Sequence, residues 1–167
     1  RAVETTREAL VMVDTQCRVQ LTPAAIRHAT RFTYEAVQGR CDRVKLILPS
    51  EQTLTRLTGE LVKDWQLDAG SGEPVLTVEF VRPLEGITHL ELESEQALAT
   101  LPGSIELRPP TPLGVQRESG RLAVRTEDLI ARLEDAGTLR QVNAEAGEWA
   151  SYQFSQRPVA LRVHLSP

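Results

Sequence analysis

Between Arg43 and Pro83 the chain alternates twice with a period of two: Val44, Leu46 and Leu48 against Lys45 and Ile47, then Leu76, Val78 and Phe80 against Thr77 and Glu79. Successive side chains of an extended strand point to opposite faces, so runs this short and this regular specify strands with one buried side. Pro49-Ser50, Thr58-Gly59 and Ala69-Gly70-Ser71-Gly72 separate the runs with turn chemistry, since glycine reaches positive φ and proline fixes φ. The spacing predicts an antiparallel meander that lays its apolar face on a second sheet.

The same alternation recurs along the chain. Ala9, Val11, Val13, Thr15, Cys17, Val19 and Leu21 share one face of a long strand, with Met12, Asp14, Gln16, Arg18 and Gln20 on the other. Thr22 to Gly39 reads two ways. Thr22 and Pro23 suit a helix start and Gly39 a helix end. Against this, Ile26, Phe32, Tyr34 and Ala36 share a face at period two, and Arg31-Phe32-Thr33-Tyr34 is aromatic and β-branched, which favours a strand. Ser94 to Leu101 suggests a helical turn, Ser104 to Leu107 a short strand, and residues 126–137 fit helix or strand equally. Tyr152 and Phe154, followed by Val159, Leu161, Val163 and Leu165, suggest a closing hairpin through Ser155-Gln156-Arg157. The expected fold is all-β: an antiparallel β-sandwich with a smaller β-rich C-terminal sub-domain and at most one or two short helices. Pro109, Pro110 and Pro112 cannot donate to a ladder. They place an expected boundary between a sandwich module at 1–108 and a smaller module, or a completing sheet, at 109–167.

A chain of 167 residues with a net charge of −4 and no basic stripe does not fit nucleic-acid binding. No apolar run approaches the roughly 20 residues of a membrane span. The chain starts at Arg1 and its single methionine is Met12, inside a strand-like run; it is expected to be one module of a longer protein.

Three stretches carry a resemblance: DRVKLILP followed by GELVKDWQL and VLTVEF, then GVQRESGRLAV, then WASYQFSQRPVALRV. They are similar to a pattern in large, mostly uncharacterised modular β-rich proteins of bacterial envelopes, planctomycete-like in type. That resemblance implies a β-sandwich unit in a tandem array outside the cytoplasm, in the periplasm or at the cell surface. It carries over no catalytic residues, and it implies strands at both helix-like stretches.

Phosphate loop, dinucleotide turn, nucleophile elbow, zinc helix and paired-cysteine ligand motifs are not found in the sequence. Gly70-Ser71-Gly72 lacks the lysine and helix that a phosphate loop needs. His89, Glu91 and Glu93, continued by Glu95, project together from one strand face as a candidate metal-ligand row. Neighbours in such a row stand about 6–7 Å apart, so one ion would need ligands from another strand, and a solvated face is the plainer reading. Trp65 between Asp64 and Asp68 suggests a carbohydrate groove, with Trp149 a second aromatic candidate; a buried core tryptophan is the commoner fate in a sandwich. Glu118 beside Arg117 and Arg121 suggests an ion pair. His28 and His164 stand apart and suggest packed or surface residues.

These readings converge on a non-catalytic structural or protein-interaction module of a larger extracytoplasmic protein. No cofactor is expected, and its partners would be other domains of the same parent and a protein or glycan ligand. The alternative is a carbohydrate-binding module using Trp65 or Trp149. For the cysteines, a turn through Thr22-Pro23-Ala24-Ala25 sets Cys17 opposite Thr30 and leaves Cys41 level with about Leu10. That separates them by roughly 20 Å, so two free thiols are expected. Cys17 is expected to be buried and inert, and Cys41 to be exposed and activated by Arg40 and Arg43.

Overall fold

The computed structural model describes residues 9–98 and 100–167. Within them the chain forms strands β1 (Leu10–Leu21), β2 (Ile26–Gln38), β3 (Arg43–Ile47), β4 (Gln52–Gly59), β5 (Val62–Asp68), β6 (Val75–Phe80) and β7 (Gly86–Gln96). They are followed by β8 (Gly103–Leu107), β9 (Thr111–Leu113), β10 (Arg117–Thr126), β11 (Ile130–Asp135), β12 (Arg140–Val142), β13 (Ala150–Phe154) and β14 (Leu161–Ser166). The protein is all-β, and there is no helix among the described residues.

A seven-stranded sheet in the order β12-β13-β10-β1-β2-β7-β4 forms the platform. A three-stranded sheet (β11-β14-β8) and a four-stranded sheet (β5-β6-β3-β9) cover parts of it. The inward residues of β1 record this arrangement. Cys17, Val19 and Leu21 join a cluster with Leu107, Leu161, Val163 and Leu165 of the three-stranded sheet. Val11 and Val13 join another with Leu46, Leu76, Val78 and Phe80 of the four-stranded sheet. These β1 residues are two apart and so share one face. Both small sheets therefore pack on the same side of the platform.

Within the stretch 22–39, Ile26–Gln38 is a strand and not a helix, and its hairpin with β1 keeps the expected register, Leu21 opposite Ile26 and Cys17 opposite Thr30. Thr22 closes the turn, its N–H donating to the Ala25 carbonyl at 3.2 Å and its Oγ1 accepting from the Ala25 N–H at 3.2 Å. β3 and β6 also pair as antiparallel neighbours.

Other expectations change. The meander is not formed: β4 pairs with β7 in the platform while β5 pairs with β6, so the chain changes sheets at Glu60-Leu61. Ser94, Glu95 and Gln96 extend β7 instead of turning helically. Ala99 lies outside the described residues. Residues 130–135 are a strand. Asp128 takes a left-handed backbone, φ 58°, which ends any helical start at Thr126-Glu127. β13 and β14 do not form a hairpin, since β13 sits in the platform and β14 in the three-stranded sheet.

The division at 108/109 is not a boundary between sheets. β10 pairs in parallel with β1 from Met12–Arg117 to Leu21–Thr126, and β8 pairs with β14. The later residues complete sheets begun by the earlier ones, and the antiparallel expectation gains one parallel pair. Pro112 is accommodated because β9 is an edge strand. Gly120 serves a close approach: a Cβ there would lie 2.1 Å from the Phe154 ring, which crosses it.

Candidate functional site

The clusters meet along a polar seam. On β1 it falls at Thr15, on β2 at His28 and Thr30, and on β7 at Ser94 and Gln96, all of them buried. Alternation assigns these positions to the interior, where a polar group needs a partner. The His28 ring lies 3.0 Å from Gln96 Oε1. The hydroxyl of Ser94 donates to Gln52 Oε1 at 2.7 Å. Gln52 in turn donates to the Arg108 carbonyl at 2.7 Å, and Gln96 donates to the Glu106 carbonyl at 3.4 Å. The seam thus holds the segment that runs from β8 to β9.

Two arginines complete it. Arg108 reaches Glu51 at 2.6 Å and Glu73 at 2.7 Å. Its hydrogen bond holds the Glu73 carboxyl down to about 2. Arg157 donates from Nε and Nη2 to the two carboxylate oxygens of Glu118 at 2.8 and 2.9 Å. It also donates to the carbonyls of Pro109 and Pro110 and to Thr111 Oγ1. Glu118 accepts a further bond from Thr15 at 2.6 Å. The sequence reading paired Glu118 with Arg117 and Arg121. Alternation forbids this, because Arg117 and Arg121 lie on the other face of β10, where Arg121 approaches Glu148 at 3.5 Å. The seam was missed because its members are far apart in sequence; the signal in the chain is a polar residue at an inward strand position.

His89, Glu91 and Glu93 do share the outer face of β7. That strand is internal to the platform, so Glu91 and Glu93 have strand neighbours on both sides and His89 one on β2. His89 Nδ1 lies 3.1 Å from Thr33 Oγ1, and Glu91 and Glu95 approach Arg31 and Arg27 at 3.9 and 3.5 Å. Glu93 sits between Ala29 on β2 and Arg56 on β4. The acidic row is matched by a basic row on β2, giving a ladder of exposed pairs worth about 0–1 kcal/mol each. Among the described residues, no three His, Cys, Asp or Glu side chains converge to hold a metal ion.

Trp65 is 44% exposed on the edge strand β5. It stands opposite Val78, as Leu67 does opposite Leu76, on the inward side. Asp64 and Asp68 alternate to the outward side, so no groove sets both carboxylates beside the indole face. Asp64 instead accepts the Trp65 N–H at 2.8 Å. Trp149, just before β13, is half-buried against the cluster beneath the three-stranded sheet, so the two tryptophans are not neighbours.

Both thiols are free and buried. Burial pushes Cys17 up to about 11. Cys41 departs from expectation: it is 8% exposed, its thiol donates to the Arg43 carbonyl at 3.2 Å, and burial raises its pKa. Arg40, expected to activate it, is turned to Asp42 at 3.0 Å.

Comparison with protein-family models and with curated proteins finds no match. Solved structures do match the fold. The chain is similar to an M1 zinc metallopeptidase from Deinococcus radiodurans, with 15% identity and a TM-score of 0.51, covering 95% of this chain and 42% of that one. It is also similar to native yeast LTA4 hydrolase, with 11% identity and a TM-score of 0.58, covering 99% of this chain and 31% of that one. The chain thus spans less than half the length of either structure. At these identities the likeness is one of fold alone.

Proposed function

We propose that the chain is a non-catalytic structural or protein-interaction module of a larger protein, working beside a catalytic unit that lies in other sequence. The observation that carries this reading is coverage. Nearly all of this chain matches a minor part of a zinc metallopeptidase and of a hydrolase. A second support is the use of the interior polar groups: Arg108, Arg157, Glu118, Gln52 and Gln96 hold segments together. The extracytoplasmic setting rests on the sequence resemblance alone. The test is assay of the purified 167-residue chain against aminoacyl-coumarin substrates with zinc added, then mixing with the rest of its parent chain expressed separately. The expected result is no turnover by this chain and a one-to-one complex on size-exclusion chromatography. Turnover by this chain alone that is lost on changing one of its own His or Glu residues would overturn the reading.

A further inference from the structure

β9 covers β3 only from Lys45 to Ile47, while β6 pairs with β3 from Arg43 onward. Past Leu113 the chain turns away through Gly114, whose φ of 68° suits glycine, and the edge of β3 at Arg43-Val44 is left without a strand neighbour among the described residues. A cleft of about 440 Å³ opens there, within the size range of small-molecule sites.

The cleft has three kinds of wall. Val11, Val44 and Val115 give it an apolar floor. Arg43 and Lys45 stand at its rim, with no carboxylate within ion-pair distance among the described residues. Tyr34, pointing inward from β2, forms the back. It is 1% exposed, and its hydroxyl has no hydrogen-bond partner among the described residues. Native interiors rarely leave such a group unpaired. The nearby Cys41 thiol is already committed to the Arg43 carbonyl. Burial raises the Tyr34 phenol, so it stays protonated and keeps a hydrogen to donate to an acceptor in the cleft. Arg40, Arg43 and Lys45 against Asp42 give the rim a positive balance on a chain whose net charge is −4.

We propose that this cleft binds a small carboxylate with an apolar tail. The Tyr34 hydroxyl donates to the carboxylate, Arg43 and Lys45 supply the positive field, and the tail lies on Val11, Val44 and Val115. A free carboxylic acid and the C-terminus of a peptide offer the same chemistry, and the experiment separates them. The full chain, isotope-labelled, is titrated with hexanoate, with hexanamide, and with an acetylated tripeptide as its free acid and as its amide. Amide shifts are followed by NMR in wild type and in Tyr34→Phe, which keeps the ring and is expected to melt no lower than wild type.

Hexanoate should shift the amides around Val11, Val44 and Val115, bind about tenfold more weakly to Tyr34→Phe, and weaken with added salt; hexanamide should not bind. Loss of the salt dependence in the double variant Arg43→Gln, Lys45→Gln would support the assigned rim. Tight binding of the tripeptide acid, lost in its amide and in Tyr34→Phe, would support the site and assign it to chain termini. Equal binding of hexanoate to wild type and Tyr34→Phe, or no binding of either acid, would overturn the proposal.

Discussion

Replacing Arg157 with alanine should be among the more damaging single changes in this protein. The side chain makes five hydrogen bonds: two to Glu118, two to the carbonyls of Pro109 and Pro110, and one to Thr111. Its guanidinium also lies 5.2 Å from the Phe154 ring centroid. Exposure decides the magnitude. An exposed ion pair contributes about 0–1 kcal/mol, but the Arg157 and Glu118 side chains are only 19% and 8% exposed. Removing the cation strands Glu118 with Thr15 as its remaining donor. Breaking one partner of a buried pair costs about 3–5 kcal/mol. At about 2–4 °C per kcal/mol for a domain of this size, Tm should fall by about 6–20 °C. Urea denaturation followed by circular dichroism gives the number directly. The double variant Arg157→Met, Glu118→Leu should recover part of the loss, because no charge is left uncompensated. A loss below about 1 kcal/mol for Arg157→Ala, or no recovery in the double variant, would refute the assignment of this pair as the clamp on the β8–β9 segment.

Two further outcomes follow from the titratable groups. The hydrogen bond from Arg108 holds Glu73 at about 2 against an ordinary 4.5, so its contribution is complete above the unfolded value and is lost as pH falls from about 4.5 toward 2. Glu73→Gln should flatten the stability profile in that window, though modestly, since the Glu73 side chain is 34% exposed; a profile parallel to wild type would count against the linkage. With iodoacetamide, Cys17 should label only on global unfolding, and Cys41, at the cleft, should label earlier but slowly; fast labelling of Cys41 at neutral pH would contradict its burial and its bond to the Arg43 carbonyl.

Once 26–38 is taken as a strand, which the sequence favoured over a helix, the register of the first hairpin follows locally from two alternating runs and a four-residue turn, apart from a bulge at Leu10/Val11. β5 shows the opposite case. Six of its seven residues are exposed, on both faces, so Val62–Asp68 carries no binary pattern and takes its place from pairing with β6. Trp65 reads as a sandwich core residue until that edge position is known. Sheet membership was equally hidden. Nothing in Arg117–Thr126 says that this strand lies parallel to β1, about a hundred residues earlier, nor that β13 and β14 part company at Arg157. Cys41 misled because sequence proximity does not say which group faces it: the Arg40 guanidinium is turned to Asp42, and what Arg43 offers the thiol is its carbonyl.

The interruptions in the alternating pattern carry as much information as the pattern. The inward row of β1 reads Val11, Val13, Thr15, Cys17, Val19, Leu21, and Thr15 divides the residues that face the four-stranded sheet from those that face the three-stranded one. On β2 the division falls at His28 and Thr30, between Ile26 and Phe32. On β7 the inward row passes from Leu90 and Leu92 to Ser94 and Gln96. A single covering sheet would present apolar side chains to every one of these positions, and the polar groups would be stranded. Two covering sheets leave a gap, and the backbone crossing that gap brings carbonyls of its own that must be satisfied. Gln52 and Gln96 donate to those carbonyls directly. Inward polar residues on three adjacent strands therefore mark where one cover ends and the next begins, and they explain why a proline-rich segment with few donors can be buried between the two.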